Sequence, residues 1–154
     1  MTIADHSVVG EVGFAAWESS DAFKGHDLAA EISERVRHEC SIFAASTSGD
    51  VHIAELDGVI AGWTARDGAR DYVSDLWVHP DHQGRGIGRA LVLHVLELIS
   101  VEGHPSARID THASNAGAIR LYERCGFAIV WRGIEFSKSM GIDLEKVHME
   151  KALP

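Results

Sequence analysis

Cysteine, cationic side chains and long apolar runs are all scarce in this sequence, and each scarcity removes a class of protein. The two cysteines, Cys40 and Cys125, stand far apart and outside any CxxC pattern. They suggest neither a disulfide framework nor a quartet of zinc ligands, and two buried thiols are expected. The ten histidines are scattered, and the closest pair, His79 and His82, flanks a Pro-Asp turn. A metal site needs three or four converging ligands, so no metal is expected. The longest mostly apolar stretch, residues 90–101, is interrupted by His94, Glu97 and Ser100. It falls short of the ~20 apolar residues of a membrane span. The N-terminus lacks a basic segment followed by an apolar core and a small-residue cleavage site, so a cytoplasmic protein without membrane association is expected. Lys and Arg number 14 against 23 Asp and Glu, a net charge of −9. That field repels nucleic-acid phosphates and favours a protonated amine as partner.

What is present suits one globular domain over residues 1–154, of which 45% are hydrophobic. Such a chain buries roughly 70% of the surface exposed when unfolded. Residues 8–17 are apolar enough for a helix, although Gly10 and Gly13 each cost it ~1 kcal/mol relative to Ala. Residues 27–38 space Leu28, Ile32 and Val36 by fours, the pattern of an amphipathic helix. Two β-rich runs, 51–56 and 59–65, are separated by Asp57-Gly58, a two-residue hairpin signal. A further strand over 72–78 stops at His79-Pro80, since proline cannot donate to a ladder. The strongest helix spans 86–102, ended by Gly103 and Pro105. A strand over 107–113 precedes a helix over 115–125, with Asn115 at its N-cap and Gly126 past its end. Strands 127–136 and 144–153 close the chain, joined by a polar loop over 137–143. The order predicts an α/β (α+β) sandwich with a mixed sheet flanked by helices, not an alternating doubly wound fold.

The segment Gln83-Gly84-Arg85-Gly86-Ile87-Gly88-Arg89 lies between a strand and the strongest helix. A helix start presents unpaired N–H groups and about half a positive charge, and glycines let that backbone close on a phosphate. A P-loop needs Lys-Ser or Lys-Thr after its last Gly, and here Arg89-Ala90 follows Gly88. A GxGxxG fingerprint needs Gly at 89 or 91 and finds Arg89 and Leu91.

The run from Asp75 to Leu91, with Gln83, Gly86 and Gly88 as its Gln-x-x-Gly-x-Gly core, resembles the pyrophosphate-binding motif of the GNAT superfamily of acyl-CoA N-acyltransferases. Downstream, Asn115, Ala118, Leu121, Tyr122, Gly126 and Phe127 are similar to that family's Asn-x-x-Ala-x-x-Leu-Tyr-x-x-x-Gly-Phe segment. The resemblance covers residues 51–130 well and weakens at the front. There the family begins with a strand and this chain offers only Thr2-Ile3-Ala4. It implies a mostly antiparallel central sheet with the Gly-rich turn opening the main helix. It implies acetyl-CoA as co-substrate and an amine-bearing small molecule or peptide as acceptor, and a homodimer is left open.

Carried onto this chain, the resemblance places the cofactor's pantetheine arm along backbone groups of Leu76, Trp77 and Val78, with the Val78 amide as oxyanion donor. Pyrophosphate falls on the amides of Gly84 to Arg89, Arg85 and Arg89 are phosphate partners by charge, and Asn115 holds the pantetheine side. Tyr122 matches the family's acid, suited to protonate the leaving thiolate because a phenol titrates near 10 and a thiol near 8.5. The base is open. Some relatives carry a Glu where this chain has Ser74. Asp75 is expected to point to the opposite sheet face by strand alternation. Asp110 corresponds to a base position in relatives that acetylate protein N-termini, and His112 shares its face. A non-catalytic acyl-CoA sensor that keeps the turn is the alternative, and the intact Tyr122 argues against it.

Overall fold

The computed structural model describes residues 1–23 and 28–154. Its order is α1 (His6–Glu18), α2 (Ala30–Ser46), β1 (Asp50–Leu56), β2 (Val59–Arg66), β3 (Tyr72–Val73), β4 (Asp75–Val78), α3 (Ile87–Val101), β5 (Ser106–His112), α4 (Ala116–Arg124), β6 (Ala128–Ser137) and β7 (Ile142–Ala152). Short 3-10 turns occupy Ile3–Asp5, Asp21–Phe23 and Pro80–His82. No strand precedes α1 among the described residues.

Two sheets form, ordered β1-β2-β4 and β3-β5-β7-β6. All pairings are antiparallel except β3 with β5. Asp57 and Gly58 both take positive φ, 53° and 80°, giving the tight β1–β2 turn expected of an Asp-Gly pair. α3 buries Leu91, Val92, Val95, Leu96 and Ile99. These pack with Val73, Ala107, Ile109, Val147 and Met149 on one face of the second sheet. On the opposite face, α1 and α2 cover the first sheet through Val9, Val12, Ala44, Trp63 and Ala65. They reach the β6–β7 hairpin through Trp17, Val36, Met140 and Leu144. The Trp63 indole donates to Val9 O at 2.8 Å, tying β2 to α1.

Four expectations change. The single strand expected over 72–78 breaks at Ser74, and its two parts belong to different sheets. α2 runs eight residues past the expected end at His38, because Ala44 continues its buried face. The expected start at Asp27 lies outside the described residues. β6 and β7 extend into the polar stretch 137–143, leaving only residues 138–141 as their turn, with Gly141 at φ 71°. Of the two cysteines, Cys125 is buried and Cys40 only half-buried.

Candidate functional site

β3 pairs in parallel with β5 for two residues only, Tyr72 with Arg108 and Val73 with Ile109. Ser74 then turns the chain away, its N–H donating to Ala65 O at 3.0 Å, and β4 continues antiparallel to β2. Beyond that point β4 and the C-terminal half of β5 diverge, and a cavity of about 550 Å³ opens between them. The β4 backbone faces it selectively. His79 N–H bonds to Ala61 O, which makes the facing pair Gly62 and Val78 a wide pair of the ladder. The N–H groups of Val78 and, two residues earlier, Leu76 therefore point away from β2 into the cleft. Trp77 spends its backbone groups on Trp63 of β2.

The Gly-rich turn closes one end of this cavity. Gly84 and Gly86 take φ of 72° and 83°, left-handed values that a side chain strains. Gly86 caps α3, so the first-turn amides of Ile87, Gly88 and Arg89 have no intrahelical acceptor. A Cβ on Gly88 would lie 3.1 Å from Leu121 Cδ2, so this glycine lets α3 approach α4 closely. The Gln83 side chain donates to Val78 O at 3.1 Å, fastening the turn to the end of β4. Arg89 and Arg124 border the cavity, whereas exposed Arg85 sits with its guanidinium 3.5 Å from His82 Nδ1. Unpaired amides, a helix start and two arginines on one cavity suit a diphosphate carrying a slender polar arm.

The remaining wall carries the proton-transfer candidates. Asn115 caps α4, accepting from Ala118 N–H at 3.3 Å and donating to Thr111 Oγ1 at 3.4 Å. Tyr122, on the buried face of α4, is 5% exposed and borders the cavity. Burial holds its phenol well above the usual tyrosine value, so it stays protonated. Asp110 also borders the cavity and is gripped from two sides, by the Tyr72 hydroxyl and by Lys146 Nζ at 3.3 Å. His112 does not border it. Its ring packs edge-on against Phe23, with centroids 4.9 Å apart, and burial and then Lys146 lower its pKa, keeping the imidazole neutral.

Three features escape the sequence pattern. Asp75 and Ser74 both border the cavity, although strand alternation predicts opposite faces. The chain changes sheets at Ser74, so alternation does not carry across it. Burial raises the Asp75 carboxyl above the ordinary aspartate value, opposed by hydrogen bonds from the Trp77 indole, 3.1 Å away, and from Ser74. Arg124 sits in the last turn of α4, where a terminal arginine has no motif to mark it. The end of α1 and the turn after it contribute Ser19, Ser20 and Asp21.

Residues 13–127 match the model of the Acetyltransferase (GNAT) family. A GCN5-related N-acetyltransferase from Rhodopseudomonas palustris superposes with a TM-score of 0.80 at 25% identity, covering 99% of this chain and 92% of that one. A putative acetyltransferase from Salmonella typhimurium, solved with acetyl-CoA, gives 0.68 at 22% identity, covering 100% and 91%. The ribosomal-protein-S18-alanine N-acetyltransferase from Escherichia coli gives 0.70 at 20%, covering 99% and 90%. The last two likenesses establish the shared fold.

Proposed function

Because the chain belongs to the GNAT acetyltransferase family, we propose that the cleft between β4 and β5 is where it moves the acetyl group of acetyl-CoA onto a primary amine of a small molecule or peptide. One observation carries this assignment: the capped start of α3, the free amides of β4 and the buried Tyr122 phenol all open on a single cavity.

In this reading the amides of residues 84–89 hold the cofactor's pyrophosphate, with Arg89 and Arg124 adding charge. Leu76 and Asn115 bind the pantetheine arm. The Val78 N–H is aimed where the thioester oxygen gathers charge, and losing such a donor typically costs about 100- to 1000-fold in rate. Asp110, held between the Tyr72 hydroxyl and Lys146 Nζ, receives the incoming ammonium and takes its proton. His112 stands behind it as a neutral imidazole. As the nitrogen bonds to the carbonyl carbon, the C–S bond breaks, the Tyr122 hydroxyl supplies the proton that the sulfur requires, and the surplus proton on the nitrogen restores the phenol, leaving a neutral amide and a free thiol.

Calorimetry with acetyl-CoA, paired with amine-dependent release of free thiol, tests the assignment. Gly86→Asp should weaken binding by more than about tenfold, since strain of roughly 1–2 kcal/mol at a left-handed position adds to repulsion of phosphate. A folded Gly86→Asp protein with unchanged affinity would falsify the placement.

A further inference from the structure

A second cavity, of about 430 Å³, lies on the sheet face opposite α3, and Asp110 borders both. Its floor is set by strand alternation. Tyr72, Arg108, Asp110, Lys146, His148 and Glu150 project to this side, whereas Val73, Ala107, Val147 and Met149 project into the core beneath α3. Among the described residues, helices α1 and α2 pack over the first sheet and the far end of the β6–β7 hairpin and leave this part of the face open.

The charges in this cavity are unequal in what they already hold. Arg108 is committed to Asp71 through two hydrogen bonds, at 2.7 and 2.8 Å. Lys146 is committed to Asp110. Glu135 has an imidazole for its neighbour, His148 Nε2 at 2.9 Å, and Glu150 forms no ion pair among the described residues. Four carboxylates, Asp71, Asp110, Glu135 and Glu150, thus share two cations, with Glu150 facing Arg108 across the strands. Beside them the Trp131 ring lies against His148 with centroids 4.5 Å apart, yet stays 40% exposed. An excess of carboxylates with an exposed indole behind His148 favours an organic cation.

Resting on the acetyl-transfer reading above, we propose that this second cavity is the acceptor site and that it takes an aliphatic diamine or longer polyamine. One ammonium is delivered to Asp110 at the junction of the two cavities, and a second is held by Glu135 and Glu150. Register sets the spacing. His148 is the cross-strand partner of Asp110 on one side and of Trp131 on the other. Adjacent strands are ~4.8 Å apart, so the two nitrogens lie roughly 5–9 Å apart, the span of about three to six carbons. An anionic or zwitterionic acceptor would place its carboxylate beside Glu135 with both nearby cations already taken.

Initial rates of the full chain with acetyl-CoA should therefore rank 1,4-diaminobutane above n-butylamine and 4-aminobutyrate by about 10- to 100-fold in kcat/KM, the worth of one charge-assisted contact. Glu135→Gln should cut the diamine's advantage over butylamine to less than about threefold. Calorimetry of the diamine on protein saturated with coenzyme A should show the same loss of affinity. Equal rates for the three amines, a preference for 4-aminobutyrate, a preference unchanged in folded Glu135→Gln, or no diamine binding to the coenzyme A complex would each overturn the acceptor assignment. Failure of acetyl-CoA itself to bind the Gly-rich turn would instead overturn the reading beneath it.

Discussion

The Tyr122 hydroxyl occupies a buried site beside the cavity, where its proton is held against loss. Tyr122→Phe removes that proton and keeps the ring that packs near Phe127. Folding and acetyl-CoA affinity should survive, while kcat falls by about 100- to 10,000-fold, the usual worth of a general acid. A fall below about fivefold, with chemistry shown to limit the rate, would remove the acid role. Asp75 makes a different prediction, about stability. Burial raises its carboxyl in the folded chain above the unfolded value. The folded state therefore keeps a proton that the unfolded state has already released, and stability is lost as pH rises through the folded value. Cys40 on α2, Tyr72, Asp67, Asp110 and Tyr122 are the titratable groups coupled to it. Asp75→Asn should raise the melting temperature at neutral pH, and the gain should vanish below about pH 4, where both states of the aspartate are protonated. An equal gain at pH 3 and pH 7 would show that charge burial is not the cause.

Among the elements, α1 shows how a cost visible in sequence acquires its reason only in three dimensions. Gly10 and Gly13 weaken the helix locally, but a Cβ on Gly10 would lie 2.8 Å from Cys40 O, and one on Gly13 3.0 Å from Trp63 Cζ2. They are the contact points of α1 with α2 and β2. Gly10→Ala should therefore destabilise by about 1–3 kcal/mol despite its better helix propensity, because it overpacks against backbone that cannot yield. Chemical denaturation would measure this, and a stabilised variant would show that the helices separate freely. The same logic divides what the sequence discloses from what it does not. The α3 period, the Asp57-Gly58 turn, the Asn115 cap and the Gly-rich helix start are local patterns, and each is found where local chemistry puts it. The break at Ser74 is decided by two partners distant in sequence, β2 on one side and β5 on the other, and no local pattern records it. The place of Asp75 in the cavity wall and the second cavity are illegible in sequence for that reason, since both follow from the break and from which sheet face is left uncovered.

Across the whole molecule, the chain passes three times between the two sheets and carries a net charge of −9. Buried Arg66 of β2 anchors the assembly away from the cleft. It bonds to Asp50 of β1 and, at 2.9 Å, to Glu102 at the end of α3, joining the first sheet to the helix that carries the Gly-rich turn. The divergence of β4 from β5 carries a consequence on the timescale of isotope exchange. Amides on a strand inside a folded domain ordinarily exchange together, as one protected block. On β4 the Leu76 and Val78 N–H groups face the open cleft while Trp77 is bonded to its neighbour. Deuterium should therefore enter the free protein in a fast-slow-fast alternation along three consecutive residues. Saturating acetyl-CoA should slow the two outer positions and leave Trp77 nearly unchanged. Residue-resolved exchange by NMR would display the alternation, and uniform protection of the three amides in the free protein would mean that the strands close when nothing lies between them. The cleft is thus a sheet with one strand's place left vacant, and the vacancy has its own clock.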